Sequence, residues 1–147
     1  MQDILNEKNI ILNAKVESMT QAIVMSGEIL LKNGYITPDY IDDMLKKEET
    51  CPSYIGMNIA IPHGFSHSES MIKKSGVSFL QIPGGFQTSR KETVYLVFGI
   101  AGSNDEHISV LGKIALICSE DENIEKLKKA KTTKEVFDIL SLDEDER

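Results

Sequence analysis

Three histidines and two cysteines are the residues of this 147-residue chain with the widest chemical reach. His63 stands in "NIAIPHG", residues 58–64. Small and branched apolar residues run into Pro62, and the imidazole follows. Ile61 precedes a proline, so extended backbone is favoured there. Pro62 fixes φ and offers no N–H, so a strand ladder should stop at it. Gly64 allows backbone that other residues avoid and leaves no side chain beside the ring. The pattern predicts an imidazole at a rigid strand end with open space next to it. Such a ring is a good nucleophile near neutral pH when its other nitrogen is locked by a carbonyl. Attack on a phosphoryl group would give a phosphohistidine. That site needs donors for three phosphoryl oxygens: a cation, hydroxyls, or N–H groups at a helix start. The alternative is an ordinary polar residue in a loop after a core strand.

His107 lies in "NDEHISVLGKIA", in the first turn of a predicted helix. The positive helix end disfavours its protonated form and attracts an anion. A solvent-facing residue at a helix start is the competing reading. His63 and His67 lie four apart, a spacing that ligates zinc on a helix. Pro62, Gly64 and the polar "FSHSES" argue for a loop instead. With no Glu or Cys beside the pair, no metal site is expected. Cys51 and Cys118 form no CxxC pair, and Cys51 has no base beside it in sequence. Plain thiols in a reducing compartment are expected.

The elements that must position these residues are readable in part. "NIILN" (9–13) is a short strand candidate. Residues 18–32 have helical spacing, with Ser18 and Gln21 as a capping box. Ala22, Met25, Ile29 and Leu30 form one stripe, and Gly34 is the stop. "ITPDYIDDMLKKEE" predicts a second helix with Thr37 as N-cap and Pro38 and Asp39 in its first turn. "TCPSYIGM" reads as a loop. "SGVSFLQIP" (75–83) and "TVYLVFGIA" (93–101) read as central strands, joined by a turn over "PGGFQTSRKE". "SNDEHISVLGKIALIC" predicts a helix capped by Asn104 or Asp105, burying Ile108, Leu111, Ala115 and Cys118. "SEDENIEKLKKAK" and "TTKEVFDIL" add two helices, with capping boxes Ser119/Glu122 and Thr132/Glu135. "SLDEDER" reads as a frayed end. The order predicts an α/β fold: a mixed parallel and antiparallel sheet flanked by helices on both faces, in a single domain over 1–147.

Composition narrows the function. With 41% hydrophobic and 27% charged residues, the chain can bury a core. A net charge of −7 argues against nucleic-acid binding. No apolar run approaches about 20 residues, the length that spans a bilayer. The opening "MQDILNEKNIILNAK" mixes charged and apolar residues, so no secretory leader is expected and the chain reads as cytoplasmic.

"KNIILN", "GEILLKNGYITPDYIDDML", "YIGMNIAIPHG", "SGVSFLQIPGG" and "VFGIAGSNDEHISVLGKIA" together cover nearly the whole chain. In them the sequence resembles the enzyme IIA domains of the bacterial sugar phosphotransferase system. The branch is the mannitol/fructose family, and the mannitol-specific group within it is the most similar. "IAIPHG" with a downstream "DEHxxxL" is the specific part. The resemblance implies that His63 accepts a phosphoryl group from the phosphocarrier HPr. It implies transfer onward to a cysteine of a cognate IIB domain, so that a membrane IIC permease meets this chain only through IIB. It implies that His107 lines the site and steadies the phosphoryl group, and that no cofactor or metal takes part. Mannitol is the implied sugar. Two positions depart from the pattern. Lys47 in "MLKKE" stands where an arginine is usual, keeping the charge but not the planar fork, so it is a weaker candidate for charge neutralisation. Met57 stands where an acidic or polar residue is common. A regulatory IIA-like domain, reporting sugar supply by its phosphorylation state, is the second reading. A metal-dependent hydrolase using His63, His67 and His107 is the third.

Overall fold

The computed structural model describes residues 4–65, 68–102 and 104–145. The strands are β1 (Ile10–Ile11), β2 (Tyr54–Gly56), β3 (Ile59–Ala60), β4 (Gly76–Gln87) and β5 (Thr93–Ala101). The helices are α1 (Met19–Lys32), α2 (Asp39–Thr50), α3 (Asn104–Ile117), α4 (Asp121–Lys129) and α5 (Thr133–Asp145). Strand order in the sheet is β1-β4-β5-β3-β2. β1 runs parallel to β4 and β3 parallel to β5, while the β4–β5 and β2–β3 pairs are antiparallel. The expected mixed sheet is therefore present.

Both faces of the sheet are covered, which is why β4 and β5 are almost continuously apolar. Leu96, Phe98 and Ile100 of β5 join Val110, Ile114, Leu127, Val136 and Leu140 from α3, α4 and α5 in one core. Val94 and Val97 face the other way, packing with Ala22 and Ile29 of α1. Ala101 shares that side with Leu30, Tyr35, Tyr40 and Met44, the core between α1 and α2. From Leu96 to Ala101 the alternation is the strand period of two; Val94 falls out of step with it, beyond the register shift in the β4–β5 pairing.

Ser18 caps α1, its Oγ accepting from the Gln21 N–H at 3.1 Å. The Gln21 side chain reaches back one residue further than a capping box requires, accepting from the Glu17 N–H at 2.8 Å. Ala22, Ile29 and Leu30 are buried and Met25 is half-buried. At the far end, Tyr35 N–H bonds to Leu30 C=O at 2.9 Å and Gly34 N–H to Leu31 C=O at 3.2 Å. This paired closure needs left-handed backbone at Gly34, whose φ is 85°.

Several expectations are corrected. Thr37 makes no capping bond; α2 starts at Asp39 with Pro38 already helical, and Thr37 Oγ1 is buried without a partner. "TCPSYIGM" is not all loop, because β2 forms there and closes a two-residue hairpin onto β3. β4 continues through Pro83, Gly84 and Gly85; its pairing with β5 is interrupted between Gln81 and Phe86, and the missing N–H of Pro83 falls in that irregular stretch. On α3, Val110, Ile114, Ile117 and Cys118 are buried, while Leu111 is half-buried and Ala115 exposed. Both stripes have helical spacing, and the β-branched one removes more apolar area from water. The Ile108 side chain and those of Asn104 and Asp105 lie outside the described residues. Ser119 does not cap α4; its Oγ donates to Leu116 C=O at the end of α3. Thr132 does cap α5, accepting from Glu135 N–H at 3.1 Å. That helix runs on to Asp145, through most of the stretch expected to fray.

Candidate functional site

β3 is short because Pro62 follows it, yet pairing with β5 does not stop there. Pro62 lacks a donor but keeps its carbonyl, which accepts from the Ile100 N–H at 3.0 Å. His63 is thereby set beside Ile100 in an isolated parallel bridge, one residue past the point where the ladder was expected to end. On the preceding side, Ile61 N–H donates to Ser53 C=O at 3.0 Å.

The ring of His63 is half-buried, and its Nδ1 lies 2.7 Å from Ile61 C=O. A carbonyl only accepts, so Nδ1 carries the proton and Nε2 bears the lone pair of the neutral ring. The backbone that supplies this acceptor is that of Ile61, two residues before the ring, so tautomer and chain path are set together.

Gly64 serves a different purpose from the one its sequence position suggests. Its φ is not in the left-handed region. A Cβ there would lie 2.5 Å from Tyr40 Cε1 and 2.5 Å from Asp43 Oδ2. The glycine lets the loop press against α2, and the space it leaves is filled by that helix. Tyr40 and Asp43 project from α2 three residues apart, on one face. The Tyr40 hydroxyl accepts from Gly64 N–H at 2.9 Å and donates to Ile100 C=O at 2.8 Å. Burial pushes its pKa up to about 12, the Gly64 N–H opposing and the charge of Asp43 adding to the rise. Asp43 is buried, and its Oδ2 accepts from Phe65 N–H at 2.8 Å and from Ser68 Oγ at 2.5 Å. A buried carboxylate is tolerated when donors of this kind surround it.

Tyr40, Asp43 and Ser68 were not singled out in the sequence. Asp43 follows Asp42 in an acidic stretch, and only the docking of α2 distinguishes the buried one from the exposed one. Lys47 lies one turn beyond Asp43 on α2 and is half-buried. Its ammonium makes no hydrogen bond or ion pair among the described residues. His107 is the fourth residue of α3, a helix that begins four residues after Ile100 and so starts at the end of the sheet where His63 stands. Of His107 itself only the backbone is described. His67 lies outside the described residues. Cys51 is exposed at the C-terminal end of α2, and Cys118 is buried, its thiol pushed up to about 11 by burial. Among the described residues no cluster of three or more His, Cys, Asp or Glu could hold a metal ion, and no helix is long and apolar enough to cross a membrane.

The arrangement presents one imidazole nitrogen from a backbone fixed by β5 on one side and α2 on the other. Known proteins share the sequence and the fold that build it. Residues 3–142 match the family described as phosphoenolpyruvate-dependent sugar phosphotransferase system, EIIA 2. The mannitol-specific phosphotransferase enzyme IIA component of Geobacillus stearothermophilus is 46% identical over 138 residues, covering 94% of this chain and 95% of that protein. The crystal structure of mannitol IIA from Escherichia coli superposes with a TM-score of 0.86 at 36% identity, over 92% of this chain and 98% of that one. The complex of enzyme IIAMtl with phosphorylated enzyme IIBMtl from the same organism gives 0.88 at 34% identity, over 93% and 96%. With a match across nearly its full length in both sequence and fold, the chain belongs to the EIIA 2 family of the phosphoenolpyruvate-dependent sugar phosphotransferase system.

Proposed function

We propose that the chain is a cytoplasmic phosphocarrier of a mannitol-type phosphotransferase system, acting as one domain over 1–147. His63 accepts a phosphoryl group from phospho-HPr and delivers it to a cysteine of a IIB domain. The observation that carries the reading is the 2.7 Å contact from Nδ1 to Ile61 C=O, which makes Nε2 the nucleophilic nitrogen. In the first transfer the Nε2 lone pair forms the bond to phosphorus while the bond to the donor breaks, its electron pair leaving with the donor. In the second, a IIB thiolate takes the phosphorus and the electron pair returns to Nε2. Nδ1 keeps its proton throughout.

The bound group adds about −1.5 to −2 charges near neutral pH. His107 at the start of α3 is the proposed stabiliser, and the positive end of that helix favours the same anion. Lys47 is the proposed neutralising charge, acting as a point charge without a planar fork. Catalysis is then positioning and electrostatics, without a cofactor. Mannitol as the transported sugar rests on relatives so named that align over 94% of the chain, and IIB as the acceptor on the similarity to the IIA partner in the complex with phosphorylated IIB. The identity of 46% to a mannitol-specific relative favours transport over a purely regulatory role.

Incubation with phosphoenolpyruvate, enzyme I and HPr, followed by intact mass, tests the reading. An acid-labile gain of about 80 Da, the mass of one phosphoryl group, is expected for the native chain and not for His63→Ala. No gain in the presence of active HPr would sink it.

A further inference from the structure

In a parallel ladder, a residue paired through its neighbours receives a bond on one side and gives one on the other. At the His63–Ile100 bridge the first half is made directly, from Ile100 N–H to Pro62 C=O at 3.0 Å. The second half would run from Gly64 N–H to Ile100 C=O. The Tyr40 hydroxyl occupies that place, 2.9 Å from the Gly64 nitrogen and 2.8 Å from the Ile100 oxygen. A helix side chain is thus spliced into the sheet ladder at the residue following His63. The chain is held one hydroxyl further from β5 after His63 than before it, so the backbone swings away from the sheet there. Within the same span, His63 Nδ1 lies 2.7 Å from Ile61 C=O.

We propose that Tyr40 is a positioning residue for His63: its hydroxyl, inserted between Gly64 and Ile100, sets how far the ring stands off the sheet and keeps the proton on Nδ1. The inference rests on His63 being the phosphoacceptor. A hydroxyl suits the place because it donates and accepts at once, as both backbone groups require. Its raised pKa keeps it protonated, so the donor is retained at any physiological pH. Asp43 supports the same loop one residue further on, through Phe65 N–H, but does not touch the bridge.

The test is Tyr40→Phe in the full chain, read in three ways. Circular dichroism and thermal melting report whether the fold survives. Nitrogen-15 spectra of the imidazole report the tautomer of His63. Steady-state uptake from phospho-HPr separates kcat from KM. With the fold kept, the expected result is a mixed tautomer and a kcat at least about tenfold lower, with KM for HPr within about twofold, because misplacement of a reacting atom acts on the transition state. An unchanged tautomer and unchanged kcat would overturn the proposal. If the variant does not stay folded, amide hydrogen exchange in the native chain decides: protection at Gly64 comparable to that at Ile100 supports the inserted hydroxyl, and exchange as fast as in exposed loops overturns it. A native chain that takes up no phosphoryl group refutes the proposed function, whereas the tautomer comparison still decides the role of Tyr40.

Discussion

The carboxylate of Asp43 holds the backbone N–H of Phe65 at 2.8 Å, tying α2 to the loop two residues after His63. The same oxygen takes the Ser68 hydroxyl at 2.5 Å. Replacing Asp43 by Ala leaves both donors without it in a buried setting. A loss of about 1–3 kcal/mol in urea unfolding is expected, since an unsatisfied buried donor carries its desolvation penalty. Asp43→Asn keeps one acceptor oxygen and should lose less. Equal losses in the two variants would show that the hydrogen bonds contribute little.

Gly64→Ala tests the close approach of loop and helix. The added methyl meets Tyr40 and Asp43 at 2.5 Å, so α2 or the loop must move. Destabilisation of about 1–3 kcal/mol is expected from overpacking, with slower phosphoryl uptake. Gly34 is a useful contrast: nothing crowds it, and substitution there strains only the left-handed backbone.

Met57 and Asn58 form the two-residue turn between β2 and β3, with φ of 55° and 65°. A hairpin turn of this kind wants residues at ease in the left-handed region. Asn58 is one, and its side-chain amide also donates to Thr93 C=O at 2.9 Å. Methionine is not. Met57→Gly relieves roughly 1–2 kcal/mol of left-handed strain and loses part of that to chain entropy. The melting temperature should rise by a few degrees, and a fall would show that the exposed Met57 side chain makes stabilising contacts.

Cys118 gives the stability a pH dependence at the alkaline end. Its thiol is raised from 9.0 to about 11 by burial. Below pH 9 both folded and unfolded chains keep the proton, and nothing changes. Between pH 9 and 11 the unfolded chain releases a proton that the folded chain retains, so stability falls as pH rises. Tyr40 adds a similar loss between 10 and about 12. The urea midpoint should therefore decline above pH 9, and less steeply in Cys118→Ala. At pH 8 a thiol reagent should label the exposed Cys51 promptly and Cys118 only on unfolding. Two thiols reacting at one rate would contradict the burial.

What could be read in the sequence was mostly local. The apolar runs of β4 and β5, the Ser18 and Thr132 caps and the Gly34 stop each follow from a few adjacent residues. The mixed sheet followed from their order. His63 was conspicuous because Pro62 and Gly64 flank it. What held it in place was not, since Tyr40 and Asp43 act from 23 and 20 residues upstream, through α2. Gly64 illustrates the limit: its lack of a side chain was visible, but the reason lies in a helix that the local sequence does not name. On α3 the buried stripe is turned slightly about the axis from the expected one, and only the docked core shows it. Pro83 inside β4 was legible as a ladder break but not as a bulge that the strand survives.

The two amides that follow His63, those of Gly64 and Phe65, both point into α2 and are engaged there. On the proposed reading, these two amides are therefore already committed to the helix when an anion arrives at Nε2. A courier built in this way keeps those two hands on its own frame and must carry its parcel with others.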